Sequence, residues 1–337
     1  MEKKSNNLEI KSMTVIAEQA RQYIEDRKEG REKSLRVRSE KINRHIMNGF
    51  DWNRIITIAG LSGSGKSTLC RQLIKDMIEL NKDQEFDVLS FQFEMLGIDE
   101  VARDLSAKTD LSVKNIYSAE TPLSDKNKAI IDSILESLKS YPIYVVDNIG
   151  TVKNIIDTIF FFVTSRKLVQ NKKGLVITID HTLLVKPEDG ADEKITIDLL
   201  MHSLVALKKY LVSIGLKVIF FVLSQLNRNI ETNERIINPR LHYPNKNDLF
   251  GASSIYYSSD YVMILHKPSI IEGLGKWYGP ERTNFPYGLP VFNPEKPSQP
   301  LMYLHIIKER FGSNGILTMV DELDKGKISD YVHQTKK

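Results

Sequence analysis

The chain has 337 residues, 41% apolar and 27% charged, which suits one large α/β domain with appendages or two small domains. Its net charge of +4 permits a nucleic-acid partner without arguing for one, since positive charge must be concentrated to matter. A single cysteine, Cys70, excludes an intrachain disulfide framework; no apolar run reaches membrane-spanning length and the start lacks a signal peptide's apolar stretch, so a cytoplasmic protein with no membrane association is expected.

In chain order, residues 12–33 read as one helix. Val15, Ile16, Ala20 and Ile24 share one face and charged residues the other. Such a helix either packs on its own domain or serves as an arm that docks on a neighbouring subunit. From Arg54 onward apolar strands alternate with amphipathic helices. Strands are predicted at 55–59, 87–93, 143–146, 175–179 and 217–223, and helices at 67–80, 125–140 and 195–214. Nearly continuous apolar runs suit a parallel sheet covered on both faces, so the fold class is α/β, an open twisted sheet with crossover helices. A further pair, 261–266 and 302–308, reads as antiparallel. The Pro- and Gly-rich segment 268–300 between them predicts a long surface loop or hairpin extension.

Between the first strand and the helix at 67–80 lies "IAGLSGSGKST". Gly60-x-x-x-x-Gly65-Lys66-Ser67 matches the Walker A pattern in its required strand-then-helix context. Gly60, Ser62, Gly63, Ser64, Gly65, Lys66, Ser67 and Thr68 are therefore the expected ATP-binding residues. Backbone N–H groups and the helix start face the phosphates, Lys66 reaches the β- and γ-oxygens, and Ser67 ligates Mg²⁺. The magnesium also wants an acidic strand end. Asp147, closing "YPIYVVD", and Asp180, closing "GLVITID", both qualify, and spacing does not choose between them. Glu94, after "DVLSFQF", is suited to activating water, and Gln225, after "KVIFFVLS", to sensing the γ-phosphate. All belong on the carboxyl rim of the sheet. Together they describe a hydrolase better than a kinase.

Several segments, taken in order, resemble the ATPase domain of the DnaB-family replicative helicases within the RecA-like fold. They are "SEKINRHIMNGFDWNRIITIAGLSGSGKST", "SFQFEM", "YPIYVVDN", "VITIDHTLLV", "VLSQLNR", "DLFGASSIYYSSDYVMIL" and "IIKERFGSNG", and the resemblance runs over about 14–320. It implies a P-loop ATPase over 46–337 preceded by a tail and linker helix over 1–45 that docks on the next subunit. Asp180 becomes the Walker B carboxylate and Asp147 a structural strand end. Glu94 becomes the general base, Gln225 the coupling sensor, and Lys308 and Arg310 paired fingers reaching the γ-phosphate of the adjacent subunit. A finger supplied in trans is worth about 10³ to 10⁵ in rate.

The loop after "LSQLNR" carries Arg228, Arg235, Arg240 and Lys246, expected to track phosphates of single-stranded DNA in the channel of a homo-oligomeric ring, a hexamer by resemblance. His242 and Tyr243 in that loop are weak candidates for base stacking. The sequence departs from the family pattern in three places. His181 replaces the usual tyrosine, Phe250-Gly251-Ala252-Ser253 replaces an acidic-Ser-Gly stretch, and 268–300 is longer. No counterpart of the family's N-terminal primase-interacting domain is expected, so primase recruitment and loading are expected to differ or to come from another protein. The implied function is an ATP-dependent replicative DNA helicase moving 5′ to 3′. The alternatives are a recombination or repair ATPase, a nucleotide-gated scaffold or loading factor, and, weakest, a small-molecule kinase.

Overall fold

The structure, a computed structural model, describes residues 10–332 except 110, 121, 189 and 284; residues 1–9 of the expected docking tail, and 333–337, lie outside the described residues. The chain begins with α1 (Met13–Lys28) and α2 (Glu40–His45). Then come β1 (Arg54–Gly60), α3 (Lys66–Leu80), β2 (Phe86–Gln92), α4 (Gly97–Lys108), α5 (Val113–Tyr117), α6 (Asp125–Lys139) and β3 (Ile143–Val146). They are followed by α7 (Val152–Ser165), β4 (Gly174–Asp180), α8 (Glu193–Ser213), β5 (Val218–Gln225), α9 (Asn233–Ile237), α10 (Ala252–Ser258) and β6 (Tyr261–His266). The last third holds β7 (Trp277–Tyr278), β8 (Leu289–Pro290), β9 (Phe292–Asn293), β10 (Lys296–Glu309), β11 (Gly315–Glu322) and β12 (Lys327–Asp330).

The main sheet runs β12-β11-β10-β6-β1-β5-β4-β2-β3. From β3 across to β6 the neighbours are parallel, and from β6 to β12 antiparallel. The central strands are buried on both faces, and their side chains divide by the two-residue period of a strand. Val218, Phe220 and Val222 of β5 enter the core under α7, α8 and α10, while Ile219, Phe221 and Leu223 enter the core under α2 and α3. Each such side chain contributes roughly 1.5–3 kcal/mol on burial, which is why these strands read clearly in the sequence.

The predicted first helix ends five residues early. Ser12 caps its start, Arg27 and Lys28 complement its last turn, and Gly30, at φ +72°, turns the chain away. No α1 residue is buried, and Met13, Val15, Ile16, Tyr23 and Ile24 are exposed. The 268–300 segment is a hairpin extension rather than a plain surface loop. It contains β7, β8, β9 and the start of β10, and packs Tyr278, Leu289 and Val291 against Leu301 and Tyr303 of β10.

Candidate active site

The phosphate loop curls between β1 and α3 through two left-handed glycines, Gly63 at φ +74° and Gly65 at φ +86°. Gly65 also lies so close to Leu323 that a β-carbon there would stand 2.8 Å from its Cδ2. Lys66 opens α3 with 7% of its surface exposed, and its Nζ donates to the carbonyl of Leu61 at 3.0 Å. Burial pulls the Lys66 ammonium pKa down, opposed by the nearby carboxylates of Asp180 and Glu94. An ammonium held this way has every reason to exchange one carbonyl for phosphate oxygens.

Strand register separates the two aspartates. Gly60 is level with Gln225 on the adjacent β5, and Asp180 ends β4, one strand further out. Burial pushes the Asp180 pKa up, opposed by the nearby Ser67 hydroxyl. The Oδ1 atom of Asp180 is buried with no hydrogen-bond partner, as is the hydroxyl of Ser64. Asp147 instead follows the edge strand β3, where its Oδ2 accepts the N–H of Gly97 at 3.3 Å. The Ser67 hydroxyl and Asp180 carboxylate are hard oxygen donors set side by side. Among the described residues no three His, Cys, Asp or Glu gather as a metal cage. The donor set fits a Mg²⁺ that keeps waters and shares phosphate oxygens.

Asp180 is level with Gln92, and the N–H of Phe93 donates to the Asp180 carbonyl at 2.8 Å, so Glu94 emerges beside the aspartate. Glu94 is 57% exposed and lies 3.8 Å from Nε2 of His181. Burial lowers the His181 pKa, and its Nδ1 is buried without a partner. Glu94 and Gln225 both line a cavity of about 420 Å³ over the phosphate loop, of a size suited to a small-molecule ligand.

Other walls of that cavity are not foreshadowed by any motif named above. Arg71, one turn beyond Ser67 on α3, is open to detection by its spacing; it pairs with Asp104 at 3.2 Å. Arg103 of α4 and the turn Leu323, Asp324 and Gly326 carry no motif. That turn is held over the site by Gln72 of α3, which donates to the carbonyl of Ile328 at 2.8 Å and accepts its N–H at 3.1 Å.

The expected fingers lie elsewhere. β10 runs away from the carboxyl rim, so that Glu309 is level with Tyr261 at the start of β6, and Tyr261 with Ile56 of β1. Arg310 is therefore roughly 17 Å down the strands and about 10 Å across them from its own phosphate loop, beyond one side chain's reach. Its Nε lies 3.0 Å from Oδ1 of Asp260, and half of the side chain is exposed. Lys308 lies two residues before it, and its ammonium donates to the carbonyls of Tyr256 (2.6 Å) and Tyr257 (3.3 Å) at the end of α10 in its own protomer.

The expected DNA loop is built from short helical turns. Arg228, Arg240 and Lys246 are exposed on it. Arg235 is held differently. Its guanidinium pairs with the buried Asp248 and donates to the carbonyls of Leu241 (2.8 Å) and Tyr243 (2.9 Å), leaving 13% of the side chain exposed. His242 and Tyr243 turn inward, away from any stacking role.

A family model described as the DnaB-like helicase C-terminal domain matches residues 9–325. A comparison with curated protein sequences returned no match. Among solved structures, the chain is similar to one described as an ATPase domain, with TM-score 0.71 and 17% identity over 96% of this chain and 100% of that one. It is also similar to a DnaB-like replicative helicase solved to show its interactions with primase (TM-score 0.66, 16% identity, 89% of this chain, 64% of that one). A KaiC-like protein, PH0186 from Pyrococcus horikoshii OT3, matches at TM-score 0.51 and 14% identity, over 89% of this chain and 99% of that one. At such identities the structural likeness establishes the fold alone, which is RecA-like. The family model, spanning nearly all the described residues and every motif gathered at the carboxyl rim, places the chain in the DnaB-like helicase family.

Proposed function

We propose that this DnaB-like replicative helicase hydrolyses ATP at sites completed by a neighbouring subunit, and that the resulting loop movements carry it along single-stranded DNA. The observation that carries the reading is the position of Arg310, at the sheet end opposite its own phosphate loop yet half exposed. A head-to-tail assembly brings one protomer's Arg310 edge against the next protomer's carboxyl rim. A hexameric ring is the closure we infer from the family, with α1 laying its exposed apolar face on the adjacent subunit.

In the reading, Lys66 leaves the Leu61 carbonyl for the β- and γ-phosphates. Ser67 and Asp180 would hold Mg²⁺, which would supply neutralisation of the triphosphate's charge. Glu94 takes a proton from water as its oxygen attacks the γ-phosphorus and ADP leaves; Arg310 of the neighbour meets the charge developing on the transferred group. Gln225, next to Gly60 and at the root of the 228–248 loop, relays the presence of the γ-phosphate. Arg228, Arg240 and Lys246 hold DNA phosphates without reading bases. A 5′ to 3′ direction and a cytoplasmic location complete the proposal; no helix among the described residues is long and apolar enough to cross a membrane. Unwinding of a forked duplex with ATP tests it. The wild type should unwind forks with a free 5′ tail and Glu94→Gln should not; equal unwinding by both would remove Glu94 from the chemistry.

A further inference from the structure

The 268–300 extension has no part in the nucleotide site, yet it is packed against the proposed DNA loop. Tyr278 of β7 is fully buried. Its hydroxyl lies 2.7 Å from Nδ1 of His266 on β6 and 2.8 Å from Nε2 of His305 on β10, which fixes the extension to two strands of the main sheet. The next residue, Gly279, donates its N–H to Nδ1 of His242 in the loop at 2.9 Å. Nε2 of His242 faces the Ile236 carbonyl at 2.9 Å, so the ring is the neutral Nε2–H tautomer, accepting from the extension and donating to the loop.

The fit between extension and loop is close. The His242 ring stacks over Tyr278 with centroids 6.1 Å apart, and Tyr243 packs on the same ring at 5.0 Å. A β-carbon on Gly279, at φ +78°, would stand 2.0 Å from Cε1 of Tyr243, so the extension approaches this near only because the residue is glycine. From inside the loop, Arg235 holds the carbonyls of Leu241 and Tyr243. The stretch bearing Arg240 is thereby fixed from both sides.

We propose that His242 is a positioning residue, through which the 268–300 extension holds the DNA loop in its phosphate-contacting shape. A pre-shaped loop gives up less conformational freedom on binding, so releasing it weakens DNA binding without touching ATP. The inference rests on the reading of 228–248 as the DNA-binding loop, and the test separates the two.

In the full-length protein, His242→Ala should speed amide hydrogen exchange across 234–243 and raise the half-saturating concentration of oligo(dT) for ATPase stimulation by about tenfold, with DNA-free turnover unchanged. His242→Asn, whose Oδ1 can take the Gly279 N–H, should recover most of the DNA affinity. Gly279→Ala should reproduce the loss from the other partner. Unchanged exchange in both His242→Ala and Gly279→Ala would overturn the proposal, as would faster exchange with unchanged DNA response. A normal DNA response in an Arg228→Ala/Arg240→Ala/Lys246→Ala variant would instead sink the reading of the loop itself.

Discussion

The Arg310 guanidinium lies 3.0 Å from a carboxylate oxygen of Asp260, a residue 3% exposed at the start of β6. The other oxygen of Asp260 accepts the N–H of Ile55 at 2.9 Å and the ammonium of Lys208 at 2.6 Å. One buried carboxylate thus joins β1, α8 and Arg310. Asp260→Ala would leave Lys208 without its partner in a half-closed site, and we predict a loss of about 3 kcal/mol in urea-monitored stability. Arg310→Ala, on the exposed side of the same carboxylate, should change stability by less than about 1 kcal/mol.

Glu94 stands on the cavity wall beside Asp180. Glu94→Gln keeps the shape and removes the proposed base, so steady-state phosphate release should fall by about 10² or more. Binding of a fluorescent ATP analogue should persist, because Lys66, Ser67 and Asp180 are untouched.

Arg235 and Arg240 share one loop and differ in what they do. Arg235→Ala strands the buried carboxylate of Asp248 and should cost about 3 kcal/mol of stability. Arg240→Ala should leave stability alone and reduce the salt dependence of oligo(dT) binding, by roughly 0.7 in log–log slope for each DNA phosphate that the variant no longer neutralises.

Burial holds the His266 pKa down at about 3 and that of His305 well below its ordinary value. Neutral histidines in the fold and ordinary ones in the unfolded chain mean that the unfolded state binds more protons below about pH 6.5. Stability is therefore whole above that pH and falls on acidification, approaching about 1.4 kcal/mol per pH unit for each histidine. Denaturant titrations from pH 7.5 to 5 should show this slope, and His266→Asn should flatten it.

Residue type and spacing make some of this legible in the sequence and leave other parts hidden. β1 and β5 are visible because both their faces are buried, which forces uninterrupted apolar runs. Walker A is visible because phosphate binding demands glycines at fixed offsets. By contrast β11 and β12 alternate with half-buried polar residues, and the Leu323–Gly326 wall is brought to the site by Gln72 and Gly65, far away in sequence. Arg235 looks like its neighbours in sequence; only the fold brings Asp248 to it. Lys308 likewise reads only as a basic strand residue until α10 presents its terminal carbonyls. The 268–300 segment reads as surface by its Pro and Gly content, whereas Tyr278 and Gly279 pack in the interior.

The central claim is that each triphosphate site is completed by the next subunit, and complementation tests it most directly. Lys66→Ala and Arg310→Ala proteins, each inactive alone, are mixed and their DNA-stimulated ATP turnover measured. Random head-to-tail assembly places an intact phosphate loop beside an intact Arg310 at about one interface in four, so the mixture should regain roughly a quarter of wild-type turnover. Turnover that stays at the sum of the two inactive proteins at every mixing ratio would contradict the account.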